Sequence, residues 1–279
     1  MAQEHILQAK HLIAQADAIM ITAGAGMGVD SGLPDFRGTE GFWKAYPPLK
    51  KLGLNFSDIA NPKWFDTKPS LAWAFYGHRL HLYNITIPHE GFALLHTLVQ
   101  EKGKNYFIVT SNVDGQFQKA GFDEKKILEV HGSIHHLQCS EDCQGRIWDT
   151  KPQDIMIDTK NFQALTLPMC PDCKAVARPN IMMFGDWSFN HARKIQQEEN
   201  YQRWLKGVKR RKEKMVIIEL GAGLEIPTIQ KLGNKLANNH LNCTLIRINP
   251  RDFSISPHCG VSLNMGALMG LDTLLNTHQ

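Results

Sequence analysis

No uninterrupted apolar run in this 279-residue sequence approaches the ~18 to 20 residues that a membrane-spanning helix needs. Low-complexity linkers and true internal repeats are also missing. The chain therefore reads as one large domain or as a domain carrying insertions. No secretory leader pattern is visible. The opening MAQEHILQAKHLIAQADAIM is polar through its first half and reads as an amphipathic helix running into a strand. A cytoplasmic protein is the expectation, with cysteines that are reduced thiols or metal ligands, not disulfides. Excess charge is scarce. A net +4 suits an anionic ligand but is too small to argue for nucleic acid. The basic run KGVKRRKEK (Lys206 to Lys214) reads as a solvated helix end. Neither a membrane nor direct nucleic-acid binding is expected.

Four short apolar runs are present: AIMITAG from Ala18, YFIVTSN from Tyr106, MVIIELG from Met215 and CTLIRIN from Cys243. They alternate with helical patterns such as HEGFALLHTLVQEKG, which predicts an α/β fold with a parallel sheet covered on both faces. Ligands of such sheets bind at the carboxyl ends of the strands. Those ends read TAGAGMG, TSNVDG, LGAGLE and INP, polar or glycine-rich in all four cases. Two segments interrupt the alternation. A helical, aromatic one begins near Pro47, and one carrying the paired cysteines begins near Ser133.

Gly24, Gly26 and Gly28 follow the first strand, where backbone N–H groups can approach a phosphate without Cβ obstruction. The spacing is not a strict dinucleotide fingerprint, and a tight structural turn would look the same. PDFRG follows, offering a carboxylate (Asp35), a flat apolar cover (Phe36) and a cation (Arg37) beside the same crevice. Cys139 and Cys143 form one knuckle, and Cys170 and Cys173 another after 26 intervening residues. That is the pattern of a closed, tetrahedral four-cysteine zinc site, with redox-active or merely buried thiols as the alternative. Cys243 and Cys259 read as packing residues. His131, in EVHGSIHH, could be structural or could transfer protons near neutral pH.

Taken together and in this order, the motifs resemble the sirtuin family of NAD-dependent protein deacylases, in bacterial-type form, over roughly Ala18 to Leu275. GAGMGVDSGLPDFRG is similar to the family's first cofactor loop, TSNVD to its Thr-Gln-Asn-Ile-Asp strand end, and EVHGS to its catalytic His-Gly. The paired cysteines resemble its zinc ribbon, and RPNIMMFGDW its substrate-gripping segment. GAGLEIP and IRIN resemble the distal ribose and phosphate joints. The resemblance implies a Rossmann-like parallel sheet (residues 1–46, 96–132 and 181–279) with an inserted helical module (47–95) and a small zinc-ribbon module (133–180). It implies NAD and one structural Zn2+, and acylated-lysine proteins as substrates. Cofactor contacts would come from Gly24, Ala25, Gly26, Asp35, Phe36, Arg37, Ser111, Asn112, Asp114, Gly221, Ala222 and Asn249. Phe36 would shield the anomeric carbon, Asn112 would support the ribose and Asp114 would bind the nicotinamide carboxamide. His131 would be the general base, with Asn112 as its catalytic companion. Ile181, Met182, Phe184 and Gly185 would hold substrate backbone.

The sequence also departs from the family pattern. Gly28 stands where a serine is usual, Ser111 for a glutamine, Asp186 for a glutamate, and Ala222-Gly223 for a Thr-Ser pair. These changes put cofactor affinity in question and keep mono-ADP-ribosyl transfer and NAD glycohydrolysis as alternatives. LAWAFYGHR places Tyr76 and Arg79 three apart on one helix face. The pair resembles the Tyr-x-x-Arg of sirtuins that bind malonyl and succinyl carboxylates. It implies a preference for dicarboxylic acyl groups, with acetyl accepted.

Overall fold

The computed structural model describes residues 2–35, 38–239 and 242–276. Along the chain its strands are β1 (Ala18–Ala23), β2 (Tyr106–Thr110), β3 (Ile127–Glu129), β4 (Gly132–Cys139), β5 (Ile147–Asp149) and β6 (Ile157–Asp158). After them come β7 (Gln163–Ala164), β8 (Ala177–Ile181), β9 (Met215–Leu220), β10 (Cys243–Ile248) and β11 (Gly260–Leu263). Six of these form one parallel sheet in the order β11-β10-β9-β1-β2-β3. From β1 the chain builds outward through β2 to β3, then returns to the other side of β1 with β9. Strand order thus reverses between β1 and β9, and open α/β sheets take ligands at such a reversal, beyond the carboxyl ends of the strands.

Both faces of the sheet are covered. Ile19, Ile21, Ile108 and Ile218 pack with Ile13, Phe92, Leu95, Val99 and Leu271 from the helices Ala2–Gln15, Glu90–Glu101 and Ala267–Leu275. The alternate residues Met20, Phe107, Ile217 and Leu245 pack with Tyr201, Leu205, Val208 and Leu236 from Ala192–Arg211 and Thr228–Asn239. A strand whose every residue is buried reads as a continuous apolar run, and so these four strands were legible. β3 and β11, three and four residues long at the two edges, lacked enough apolar length to stand out.

A third core holds the interrupting segments. The helix Pro69–Ile85 buries Trp73, Phe75, Tyr76, Leu80 and Tyr83 against Ile134, Leu137 and Ala177 of a smaller antiparallel sheet, β5-β4-β8. Trp73 donates its indole N–H to the Ala177 carbonyl at 2.8 Å, tying helix to strand. No described helix is long and apolar enough to cross a membrane.

Candidate active site

The two glycine turns beyond β1 and β9 touch. Gly221 sits at φ +58, and a Cβ there would lie 2.3 Å from the Gly26 carbonyl carbon, so only glycine lets the loops meet. The Gly26 N–H donates to the Gly221 carbonyl at 3.0 Å, and the Gly24 N–H to that of Leu220. Asn249, at the end of β10, donates its side-chain amide to the Ala222 carbonyl at 2.6 Å. Gly26 and Asn249 therefore shape the crevice from behind. Gly24, Ala25, Gly221 and Ala222 line it directly.

The cleft has a volume of about 750 Å³. It brings together most residues expected from the sequence: Asp35, Ser111, Asn112, Asp114, His131, Tyr76, Arg79, Ile181, Met182 and Phe184. Gly185 belongs to the same loop as Phe184 without lining the cleft. Phe36 and Arg37 lie outside the described residues. Arg251, which sequence reading missed, also lines the cleft and pairs with Asp35 at 2.9 Å. Those two residues are 216 positions apart, and no local pattern announces such a contact.

Asn112 is held by its neighbours. Its side-chain amide donates to the Gly24 carbonyl at 3.0 Å and its backbone N–H to Thr110 Oγ1 at 3.0 Å, which fixes the side chain in the cleft lining. His131 follows β3. Burial lowers its pKa, against an opposing hydrogen bond to the Ser111 backbone. The ring is thus a neutral base at neutral pH. Gly132 next to it has φ +80, and a Cβ there would strike the Asn180 carbonyl oxygen at 2.1 Å.

Asp114 is buried, and burial raises its carboxyl to about 6 despite a hydrogen bond from the Gln116 N–H. Because the folded protein holds this proton more tightly than the unfolded chain, the residue costs stability as pH rises from about 4 to about 6 and a constant amount above that. A displacement from 3.8 to about 6 corresponds to about 3 kcal/mol. Asp114→Asn is therefore expected to stabilise the unliganded protein by ~2 to 3 kcal/mol at pH 7 and to change nothing below pH 4. Denaturant titrations at the two pH values check this. Equal stability of the two proteins at pH 7 would refute the assignment.

The wall from Ile181 to Asp186 is fixed by a buried ion pair between Arg178 and Asp186. Asp186 also accepts the Met183 N–H at 3.2 Å and the Ser188 N–H at 3.1 Å. Burial would raise this carboxyl, and the hydrogen bond and charge of Arg178 outweigh it and hold the pKa below the usual range. The shorter acid at this position therefore still closes the turn. The Met182 N–H donates to the His131 carbonyl at 2.9 Å, joining this wall to the histidine.

Deeper in, Arg79 is buried among the rings of Phe56, Phe75, Tyr76 and Tyr83, at 5.3 to 5.8 Å from their centroids. The Tyr76 hydroxyl is buried with no hydrogen-bond partner among the described residues. Burial pushes its pKa to about 12, so it remains a protonated donor.

At the far end of β4 from Gly132, Cys139, Cys143, Cys170 and Cys173 converge, with all four sulfurs within 4.8 Å of one another. Cys139 and Cys173 are 3.5 Å apart, and Cys143 and Cys170 3.6 Å. A tetrahedron with ~2.3 Å metal–sulfur arms has edges of about 3.8 Å, so the thiols fit one zinc ion. Cys243 and Cys259 are buried elsewhere, as packing residues.

A family model described as the Sir2 family matches residues 24–204. An NAD-dependent protein deacylase of Aeropyrum pernix is 27% identical over 95% of this chain and 94% of its own length. One from Thermus thermophilus is 26% identical over 98% and 94%. The NAD-dependent protein deacylase sirtuin-5, mitochondrial, of Canis lupus familiaris is 29% identical over 63% of this chain and 59% of its own. Among solved structures, a Sir2 homologue–NAD complex superposes with a TM-score of 0.66 at 21% identity, covering 99% of this chain and 93% of that one. At that identity the likeness concerns the fold.

Proposed function

The chain belongs to the Sir2 family and is an NAD-dependent protein deacylase, and from that premise we propose that it removes succinyl and malonyl groups from protein lysines in preference to acetyl. One observation carries the acyl preference: a buried arginine, Arg79, on the cleft wall beside an unpartnered phenol, Tyr76. A carboxylate is the ligand that such a pair of donors suits.

NAD supplies the nicotinamide–ribose bond that is broken. Gly24, Ala25, Gly221 and Ala222 offer backbone at the phosphate end, where two turns of glycine and alanine meet. Asn112 holds its amide in place by binding the first loop. Asp114 receives the carboxamide, and neutral His131 takes up a ribose hydroxyl proton. Ile181, Met182 and Phe184 line the cleft together with Leu224, Glu225 and Ile226, and we assign the acylated-lysine peptide to these two segments. The four cysteines, none of which lines the cleft, would hold one structural Zn2+. The chain is read as a sheet domain interrupted by a helical segment from 47 to 95 and a cysteine segment from 133 to 180.

Hydrogen bonds to a charged group contribute about 1.5 to 3 kcal/mol, a preference of roughly ten- to over a hundredfold. With matched succinyl, malonyl and acetyl peptides, kcat/KM is expected to favour the dicarboxylic groups. Arg79→Met should lower desuccinylation ten- to a hundredfold and leave deacetylation equal or improved. Mass spectrometry of the products separates O-acyl-ADP-ribose from ADP-ribosylated protein and from free ADP-ribose. Equal loss of both activities in Arg79→Met would make the arginine structural. Absence of O-acyl-ADP-ribose with every peptide would overturn deacylation itself.

A further inference from the structure

Arg79 already has a ligand inside the fold. Its Nε and Nη2 donate to the hydroxyl oxygen of Tyr83, one helical turn on, at 3.1 and 2.8 Å. These two groups form one edge of the guanidinium, the edge that grips a carboxylate side-on. Here a single phenol oxygen receives both bonds. Tyr83 is 5% exposed and lines the same cleft as Arg79 and Tyr76. Burial raises its pKa, the Arg79 charge opposing, so the phenol stays neutral at working pH.

We propose that Tyr83 is a specificity-determining residue, a built-in stand-in for the substrate carboxylate that sets how well neutral acyl groups are tolerated. This inference rests on the reading of Arg79 as the acyl-end anchor. When the bound acyl group is acetyl, Tyr83 keeps the guanidinium edge hydrogen-bonded, and the large penalty of a buried, unsatisfied cation does not arise. When the acyl group ends in a carboxylate, that carboxylate competes with Tyr83 for the same edge. Tyr83 therefore narrows the gap between the two substrate classes, and this chain is a broad deacylase where an arginine without the phenol would be a narrow one. The local sequence RLHLY carries the device, since positions 79 and 83 are i and i+4 on one helix.

The test is Tyr83→Phe, which keeps the ring and removes only the acceptor. The ratio of kcat/KM for succinyl over acetyl peptide is expected to rise about tenfold, through a higher KM for acetyl, a lower KM for succinyl, or both. kcat should change less than KM. The ratio is taken within one preparation, so partial loss of folded protein cancels. Calorimetric binding of the two peptides should show the same shift. In an Arg79→Met background, Tyr83→Phe should leave the ratio unmoved. An unchanged or reduced ratio in Tyr83→Phe, with Arg79→Met still selective against succinyl, sinks the Tyr83 proposal alone. If Arg79→Met affects both substrates equally, the underlying acyl-end reading fails with it.

Discussion

Replacing His131 by alanine is expected to slow deacylation by ~10² to 10⁴, the usual loss for a general base, while NAD still binds. Backbone and side-chain groups of other elements make the cofactor crevice, and Gly24, Ala25, Gly221 and Ala222 do not depend on the imidazole. His131 contributes its proton affinity. Burial lowers that affinity, the Ser111 backbone hydrogen bond partly restores it, and the Lys194 charge lowers it further. The base is thus ready at pH 7, and it protonates only in acid. Asp114 takes its own proton at about 6, and in its proposed role it is then no longer an acceptor for the carboxamide. Both groups must be deprotonated, so kcat/KM for NAD should be flat above about pH 7 and fall below pH 6, more steeply than one proton requires. His131→Ala should flatten part of that acid limb. NAD affinity by calorimetry and single-turnover rates on acyl peptide check the split. A near-normal single-turnover rate in His131→Ala would remove the histidine from its role.

Much of this architecture could be read from four apolar runs and the residues just after them. β1, β2, β9 and β10 announced themselves because both faces of each are buried, and their polar ends had to meet somewhere. Burial says nothing about what lies across a cleft. The Asp35–Arg251 pair, the Tyr83 acceptor and the Phe56 ring beside Arg79 come from segments far apart or from plain helix positions. Gly26 and Asn249, expected at the cofactor, hydrogen-bond to Gly221 and Ala222 and do not themselves line the cleft. Gly28, where the family has a serine, does not itself line the cleft and packs against Leu33, which does. Asp186, which stands where the family has a glutamate, is the hub of the turn that follows Ile181.

The largest loss of stability is expected from the four cysteines. Structural zinc in small peptides binds with apparent energies of ~10 to 16 kcal/mol at pH 7, and that binding energy is folding energy for the segment it closes. Residues 141–146 and 171–174 around the cysteines are exposed and β6 and β7 are two residues each. Although Phe162 and Ala164 of this segment pack into the third core, nothing buried among the described residues holds the cysteine knuckles besides the metal expected there. The damage should reach the active site along one pair of strands. β4 carries Cys139 at one end and Gly132 at the other, and β8 pairs with both, Ala177 opposite Cys139 and Ile181 opposite Gly132. Arg178 of β8 then fixes Asp186 and the wall from Ile181 onward. Cys143→Ser or Cys170→Ser should therefore strip the metal, expose residues 133 to 178 to protease, and raise KM for the acyl peptide more than KM for NAD. A strong chelator should do the same to the unaltered protein. Metal analysis of fresh protein is expected to give one zinc per chain. Protein that is free of zinc, yet melts as one unit and turns over acyl peptide normally, would show that the cysteines are packing thiols.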